Sequence, residues 1–227
     1  MQLNADLTLR ASVHAAQQPW LASPLPGVER RMLHRLGQEV AQATSIVRYA
    51  PGSSFSAHTH TGGEEYLVLD GVFEDEQGRY PAGSYVRNPR GTRHTPSAPQ
   101  GATILVKLWQ FDPKDQVQLQ VQTADVKNKA DPQRPGVQFK RLFASAQEDV
   151  RLETWAPHAP IELVLPGGAE FFVLDGSFAE GGEDFAAHSW LRLPCNSHLR
   201  AQAGAQGATV WVKQGHLAHW QTPPASA

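Results

Sequence analysis

At 227 residues the chain is long enough for two modest domains with separate cores, or for one large β domain, so it is not a minidomain that needs staples. Its 20 Lys and Arg against 22 Asp and Glu leave a net charge of −2, and no basic cluster is longer than Arg30-Arg31 or Lys140-Arg141, which excludes the electrostatic footprint of a nucleic-acid binder. The single cysteine, Cys195, excludes an internal disulfide and a cysteine-cluster zinc site, and makes a reducing, cytoplasmic setting the expectation.

The first twenty residues have no positive start followed by an apolar run, and no later segment is apolar for long enough, so neither an export signal nor a membrane partner is expected. Trp20 to Val28 is proline-rich and reads as irregular chain wrapping a β domain. Val28 to Val47 has a mixed pattern, with apolar Met32, Leu33 and Leu36 before Gly37-Gln38, and then a strand expected over Ala43 to Tyr49 that Pro51-Gly52 ends.

Gly52 to Gly71 carries the chemistry. His58 and His60, two residues apart, project from one face of a strand. A turn through Thr61, Gly62 and Gly63, where glycine permits positive φ, brings Glu64 toward the same point. His94 follows within Gly83 to His94 as a fourth candidate ligand. Three imidazoles and a carboxylate suit Zn, Fe, Mn, Ni or Cu, and do not suit Ca or Mg, which prefer oxygen shells. Strand parity sends Glu65 to the other face, as an outward or salt-bridged carboxylate. Tyr66, Tyr85 and Arg87 lie near the site by strand arithmetic, as pocket residues or as barrel packing.

The two stretches resemble the paired signature motifs of the cupins, small antiparallel jelly-roll barrels. The first motif's glycine, histidines, glutamate and glycine fall at Gly52, His58, His60, Glu64 and Gly71. The second motif's glycine, proline, glycine and histidine fall at Gly83, Pro89, Gly91 and His94, with Ala98 where the family often has Asn. More narrowly, GGEEYLVLDGVFEDEQGRYPAGSYVRNPRGTRHTP resembles the cupin domain of ChrR, the zinc-dependent anti-sigma factor of bacterial singlet-oxygen responses. The resemblance implies one divalent transition ion per chain held by His58, His60, Glu64 and His94, with zinc ahead of iron.

Beyond the motifs, Glu65 to Leu69, Gly83 to Val86 and Thr103 to Gln110 read as short strands, and Glu74 to Arg79 as a solvated charged hairpin loop. Val117, Leu119 and Val121 alternate with glutamines as a strand would. The composition turns charged and proline-bearing after Ala124, which places a boundary between domains 1–124 and 125–227. Shifting the chain by 105 positions aligns Gly62–His94 without a gap, with 12 identities in 33 pairs, so the chain reads as a duplicated all-β bicupin. In the second copy Leu163, Leu165, Ala169 and Leu199 stand where the four ligands stand in the first, which leaves it without metal chemistry and with an apolar filling, or with a dry apolar pocket. His198, paired with Glu170, is a weaker second-site idea, and His216 and His219 read as surface residues.

Three functions are open at this point. One is a regulatory, stress-responsive zinc cupin related to ChrR, with a sigma factor as partner; against that partner, the region before Trp20 lacks the zinc-binding helical module of full-length ChrR. The second is a mononuclear non-haem dioxygenase acting on a small molecule such as a diketone. The third is a scaffold in which the ion is structural. Exposed edge strands make a homodimer a further expectation.

Overall fold

Antiparallel pairing accounts for nearly all of the regular structure, and two 3-10 turns, Ala15–Gln17 and His216–His219, are the only helical segments among the described residues. The computed structural model describes residues 1–38 and 41–219, and contains no helix long and apolar enough to cross a membrane among them. The chain divides into two compact units. The first comprises Met1–Ala5 and Pro19–Ala124; the second comprises Asp6–Gln18 and the described residues from Asp125 onward.

In the first unit the main sheet runs in the order Gln2–Leu3, Val28–Gly37, Ala41–Tyr49, Ala102–Leu108, Glu64–Asp75, Ser84–Asn88, Leu119–Gln122. Shorter pairs complete it: Ser53–Ser54 with Ser97–Ala98, His58–Thr59 with Arg93–His94, and Gly78–Pro81 with the end of Glu64–Asp75. One face of the sheet packs a core of Val28, Val47, Tyr66, Val68, Phe73, Val86, Ile104 and Val106. Residues paired across adjacent strands share a face, so this set identifies the inner face throughout.

The second unit repeats the order: Lys129–Ala130, Val137–Ala144, Asp149–Trp155, Ser197–Gln214, Ala169–Glu180, Ser189–Leu193, Ala11–His14. Two all-β barrels from one duplicated unit are therefore what the chain builds. The second core is apolar at the ligand-equivalent positions, with Trp155, Ile161, Leu165, Phe171, Phe178, Phe185, Leu193 and Leu199 buried together and Leu163 packed against them. The ligand-position leucines fill this barrel.

Several sequence expectations shift. Domain limits of 1–124 and 125–227 leave Ala11–His14 with the first unit, whereas its ladder with Ser189–Leu193 puts Asp6–Gln18 in the second. Side chains hold that strand: Arg10 bonds Glu180 and Glu183 at 2.8 and 2.7 Å, Ser12 Oγ donates to Glu183, and His14 meets Glu183 at 2.7 Å and Ser189 at 3.0 Å. A four-residue strand with period-2 burial is too short to reveal its partner from sequence alone. Val28–Gly37 is one ten-residue strand, and a bulge between Met32 and His34 resets the alternation, which is why its pattern reads as mixed. His216 is buried against Glu170 at 3.1 Å rather than on the surface, while His198 lies 4.0 Å from Glu162 and not beside Glu170. Trp20, in the expected irregular segment, is sandwiched by Arg31 and Arg48 at 4.4 and 4.3 Å.

Burial alone would raise the Glu183 carboxyl, but hydrogen bonds from Arg10, Ser12 and His14 outweigh it and hold the group below its ordinary value. A depressed folded value means the clamp's contribution is present above the ordinary glutamate value of about 4.3 and is lost as pH falls through the folded value. Denaturant unfolding measured from pH 6 down is expected to show a shallower acid loss for Glu183→Gln than for the wild type. Identical pH slopes would show that the clamp contributes nothing.

Candidate metal centre

His58 and His94 are direct cross-strand partners in the short ladder of His58–Thr59 with Arg93–His94. The carbonyl of His60 accepts from the N–H groups of Gly63 and Gly91, which ties the turn to the loop before His94. Gly63 adopts φ +79°, and a Cβ on Gly62 would lie 2.1 Å from the Trp109 ring, so only glycines let the turn pass beneath that indole and deliver Glu64 to the inner face. The equivalent pair in the second unit, Gly167 and Gly168, is equally crowded although no ligand follows it. The glycine pair thus serves packing first, and the ligand geometry is built upon it.

The three imidazole rings form a compact cluster, with centroids 5.0 Å apart for His58 and His60, 4.9 Å for His58 and His94, and 4.6 Å for His60 and His94. One ring nitrogen from each lies within 4.8 Å of the other two. Glu64 Oε2 stands 3.3 Å from His60 Nε2 and 3.8 Å from His94 Nε2. Ligand atoms bound tetrahedrally to one ion at about 2.1 Å are separated by about 3.4 Å, close to the spacing of Glu64 Oε2 from the two Nε2 atoms. Neither Nε2 makes a hydrogen bond, though both are buried. Two buried ring nitrogens without hydrogen bonds converge on a carboxylate oxygen, and a cation is a group that fits such a space. His58, in contrast, is exposed, so one side of the cluster opens to solvent.

Hydrogen bonds fix which nitrogens face the centre. His94 Nδ1 lies 3.0 Å from Asp75 Oδ2 and donates to it, which leaves Nε2 as the ligand atom. Asp75 also accepts from the Tyr80 hydroxyl at 2.9 Å, and Gln120 donates to that hydroxyl. His58 Nδ1 donates to the carbonyl of Ser56 at 3.1 Å. Asn88, paired with Glu64 in the ladder, donates to its Oε2 at 3.3 Å. Burial lowers His60 below the ordinary imidazole value, with the neighbouring histidines reinforcing it against the pull of Glu64, and a neutral ring is the form that binds a metal. For His94, burial is outweighed by the Asp75 hydrogen bond and by Glu64, so its value rises.

Of the four residues read from sequence as ligands, His58, His60 and His94 form the cluster and Glu64 stands beside His60 and His94, while the three read as pocket residues divide. Tyr66 lies on the ligand face, its hydroxyl buried without a hydrogen bond, and burial followed by the Glu64 charge pushes its phenol far up, so it stays a proton donor. Tyr85 and Arg87 lie on the opposite face. Tyr85 donates to the buried Glu65, and Arg87 pairs with Asp115 and stacks on Phe111 at 4.4 Å. Their odd parity places them there, as it does Glu65. Asp75, Tyr80 and Asn88 were missed from the sequence. Asp75 falls in the stretch read as a solvated loop, but the strand runs on through it and turns its side chain inward, 3% exposed. The available signal was the repeat itself, since Tyr80 and Asn88 become Phe185 and Leu193 where the ligands are lost.

Comparison with known proteins places this geometry in context. Residues 8–112 match the ChrR Cupin-like domain family. Among solved structures, a candidate dioxygenase from Nostoc punctiforme is similar over 97% of this chain and 87% of its own, at 17% identity and a TM-score of 0.75. The Escherichia coli pirin YhhW in complex with nickel(II) is similar over 91% of this chain and 99% of its own, at 12% identity and a TM-score of 0.66. A Bacillus subtilis oxalate decarboxylase variant covers 90% of this chain and 77% of its own, at 13% identity and a TM-score of 0.60. Among curated proteins none matches. At these identities the structural likenesses establish the cupin fold.

Asp75→Asn is expected to weaken divalent-metal affinity by about 10- to 100-fold in a chelator competition, because His94 loses the acceptor that orients it; unchanged affinity would remove Asp75 from the site. Gly62→Ala is expected to cost about 1 to 3 kcal/mol in urea unfolding through the clash with Trp109, and a loss below about 0.5 kcal/mol would show that the indole swings aside freely.

Proposed function

We propose, for a chain whose residues 8–112 match the ChrR cupin-like domain and whose two units have the cupin fold, that the first barrel is a mononuclear transition-metal site acting on a small molecule. The second barrel is its metal-free counterpart. The observation that carries this reading is the pairing of two buried imidazole nitrogens that lack hydrogen bonds with a third, exposed ligand ring. A purely structural ion is usually closed off by its ligands, whereas this cluster keeps a side toward solvent.

Each group has a definite task. His58, His60 and His94, with Glu64, supply three nitrogens and a carboxylate, a donor set that suits Zn, Fe, Mn, Ni or Cu. Asp75 and the Ser56 carbonyl hold the tautomers of His94 and His58, and Asn88 steadies Glu64. Tyr66, with its hydroxyl buried, is the proton donor on the same face. Phe73, Val68, Val86 and Val106 exclude water from the barrel interior below the cluster. A bound ion would act as a Lewis acid toward a carbonyl or water, and iron would add dioxygen chemistry. The likeness to a candidate dioxygenase over nearly the whole chain supports an oxidoreductase. The family match supports a second reading, a zinc-holding stress regulator with a protein partner such as a sigma factor.

Elemental analysis of protein purified without added metal is expected to find about one transition ion per chain, with His60→Ala and His94→Ala losing it. Two ions per chain, or metal retained in both variants, would refute the site. Iron with oxygen uptake on a small carbonyl substrate supports the oxygenase, and zinc without turnover supports the regulator.

A further inference from the structure

Backbone pairing extends the ligand face well beyond the histidines. Asn88 pairs with Glu64, Glu64 with Leu108, Leu108 with Ala43 and Ala43 with Arg35, so one row across five strands carries a metal-ligand candidate near one end and an arginine at the other. A second row, Val68, Ile104, Val47 and Arg30, places another arginine on the same face. Val68, Ile104 and Val47 belong to the inner core, which fixes the side on which Arg30 lies. Three strand spacings separate Glu64 from Arg35, about 14 Å along the sheet.

Among the described residues, no carboxylate pairs with either of these two cations. Among the described residues Arg30 makes no ion pair or hydrogen bond, and its Nε is buried. The hydrogen bond of Arg35 goes to the backbone carbonyl of Gln38, with no carboxylate involved. Burial, and then the charge of Arg30, hold the Arg35 guanidinium below its ordinary value, so the two cations repel each other. The Glu29 and Arg48 pair, with Trp20 stacked on Arg48 and Arg31, belongs to the opposite face and does not relieve them.

The second unit supplies the comparison. Its ladder starts on Val137 and Trp155 as the first starts on Val28 and Tyr49, and both carry a bulge at the same step, so Arg30 corresponds to Phe139 and Arg35 to Ala144. The barrel that lost four ligands lost both cations with them. Arginines on and just before that ladder are paired: Arg134 with Glu153 at 2.6 Å, Arg151 with Asp149 at 2.8 Å, and Arg141 with Asp149 at 3.0 Å. An inner face that seals itself balances its charges, and the first unit's does not.

We propose that the metal-bearing barrel takes a small organic acid, its carboxylate held by Arg30 with Arg35 beside it, on the face that carries His58, His60, Glu64 and His94. The proposal rests on reading those four residues as a metal site, and it names the substrate class for that site. Among the described residues neither guanidinium on this face has a carboxylate partner, and a ligand's carboxylate would supply one.

The test uses the full chain loaded with zinc, which avoids turnover, and titrates pyruvate against methyl pyruvate by calorimetry, with metal content measured on the same samples. The wild type is expected to prefer the acid, and Arg30→Gln to weaken acid binding by about 10- to 100-fold while metal content and melting temperature stay unchanged. Arg30→Lys keeps part of the affinity and covers the case in which the glutamine variant misfolds, and Arg35→Gln is expected to show a smaller loss. Equal binding of acid and ester, or no binding of either by protein holding one zinc, overturns the carboxylate assignment. Wild type that retains no zinc instead overturns the metal reading beneath it, and elemental analysis scores that outcome separately.

Discussion

Two buried imidazole nitrogens held beside a carboxylate, without hydrogen bonds of their own, are the constraint on which the first barrel depends. Glu64 Oε2 lies 3.3 Å from His60 Nε2 and 3.8 Å from His94 Nε2, and neither nitrogen makes a hydrogen bond. Each buried polar atom left in that state costs on the order of 1 to 3 kcal/mol, so the cluster is tolerable only if a cation occupies it or if the rest of the barrel absorbs the cost. The surroundings hold the arrangement instead of relaxing it: Asp75 takes the outer proton of His94, the Ser56 carbonyl takes that of His58, and the glycine pair beneath Trp109 fixes where Glu64 enters its strand.

Duplication provides an internal control for this view. The same strand order, the same glycine pair and the same sheet register recur in the second unit, yet ligands, supporting hydrogen bonders and unpaired inner cations have all been replaced. Leu163, Leu165, Ala169 and Leu199 join a continuous apolar core, and the charges that persist on that ladder pair with one another. Backbone architecture and site chemistry therefore separate cleanly in this chain. The architecture does not depend on the histidine cluster, because one copy forms it with leucines and an alanine at those positions. The ligands require the fold, because no short segment brings residues 58, 64 and 94 together.

The opposite face of the first sheet shows that buried charge alone does not mark a site. Glu65, Tyr85, Arg87 and Asp115 are bonded among themselves, and Lys107 reaches Thr44. Compensated charges of this kind stabilise a particular packing, or at least avoid a penalty, whereas the inner-face arginines and the histidine nitrogens remain available to a ligand. Parity along a strand is what separates the two sets, since neighbours such as Glu64 and Glu65 differ in sequence position by one and in environment entirely.

Period-2 patterning, the spacing of His58, His60, Glu64 and His94, and the gap-free internal repeat were enough to determine from sequence an all-β duplicated fold, the residues that cluster in the first barrel and their apolar replacements in the second copy. These are properties of residue type and local spacing, and local spacing survives translation into three dimensions because strands are regular. What only the tertiary structure decided are the long-range pairings: Ala11–His14 completing the second unit, the continuation of a strand that turns Asp75 onto His94, the removal of Tyr85 and Arg87 to the far face, and the placement of Arg30 and Arg35 in register with the ligands. A strand's partner and the phase of its bulges depend on residues distant in the chain, and a shift of one position moves every side chain to the other side.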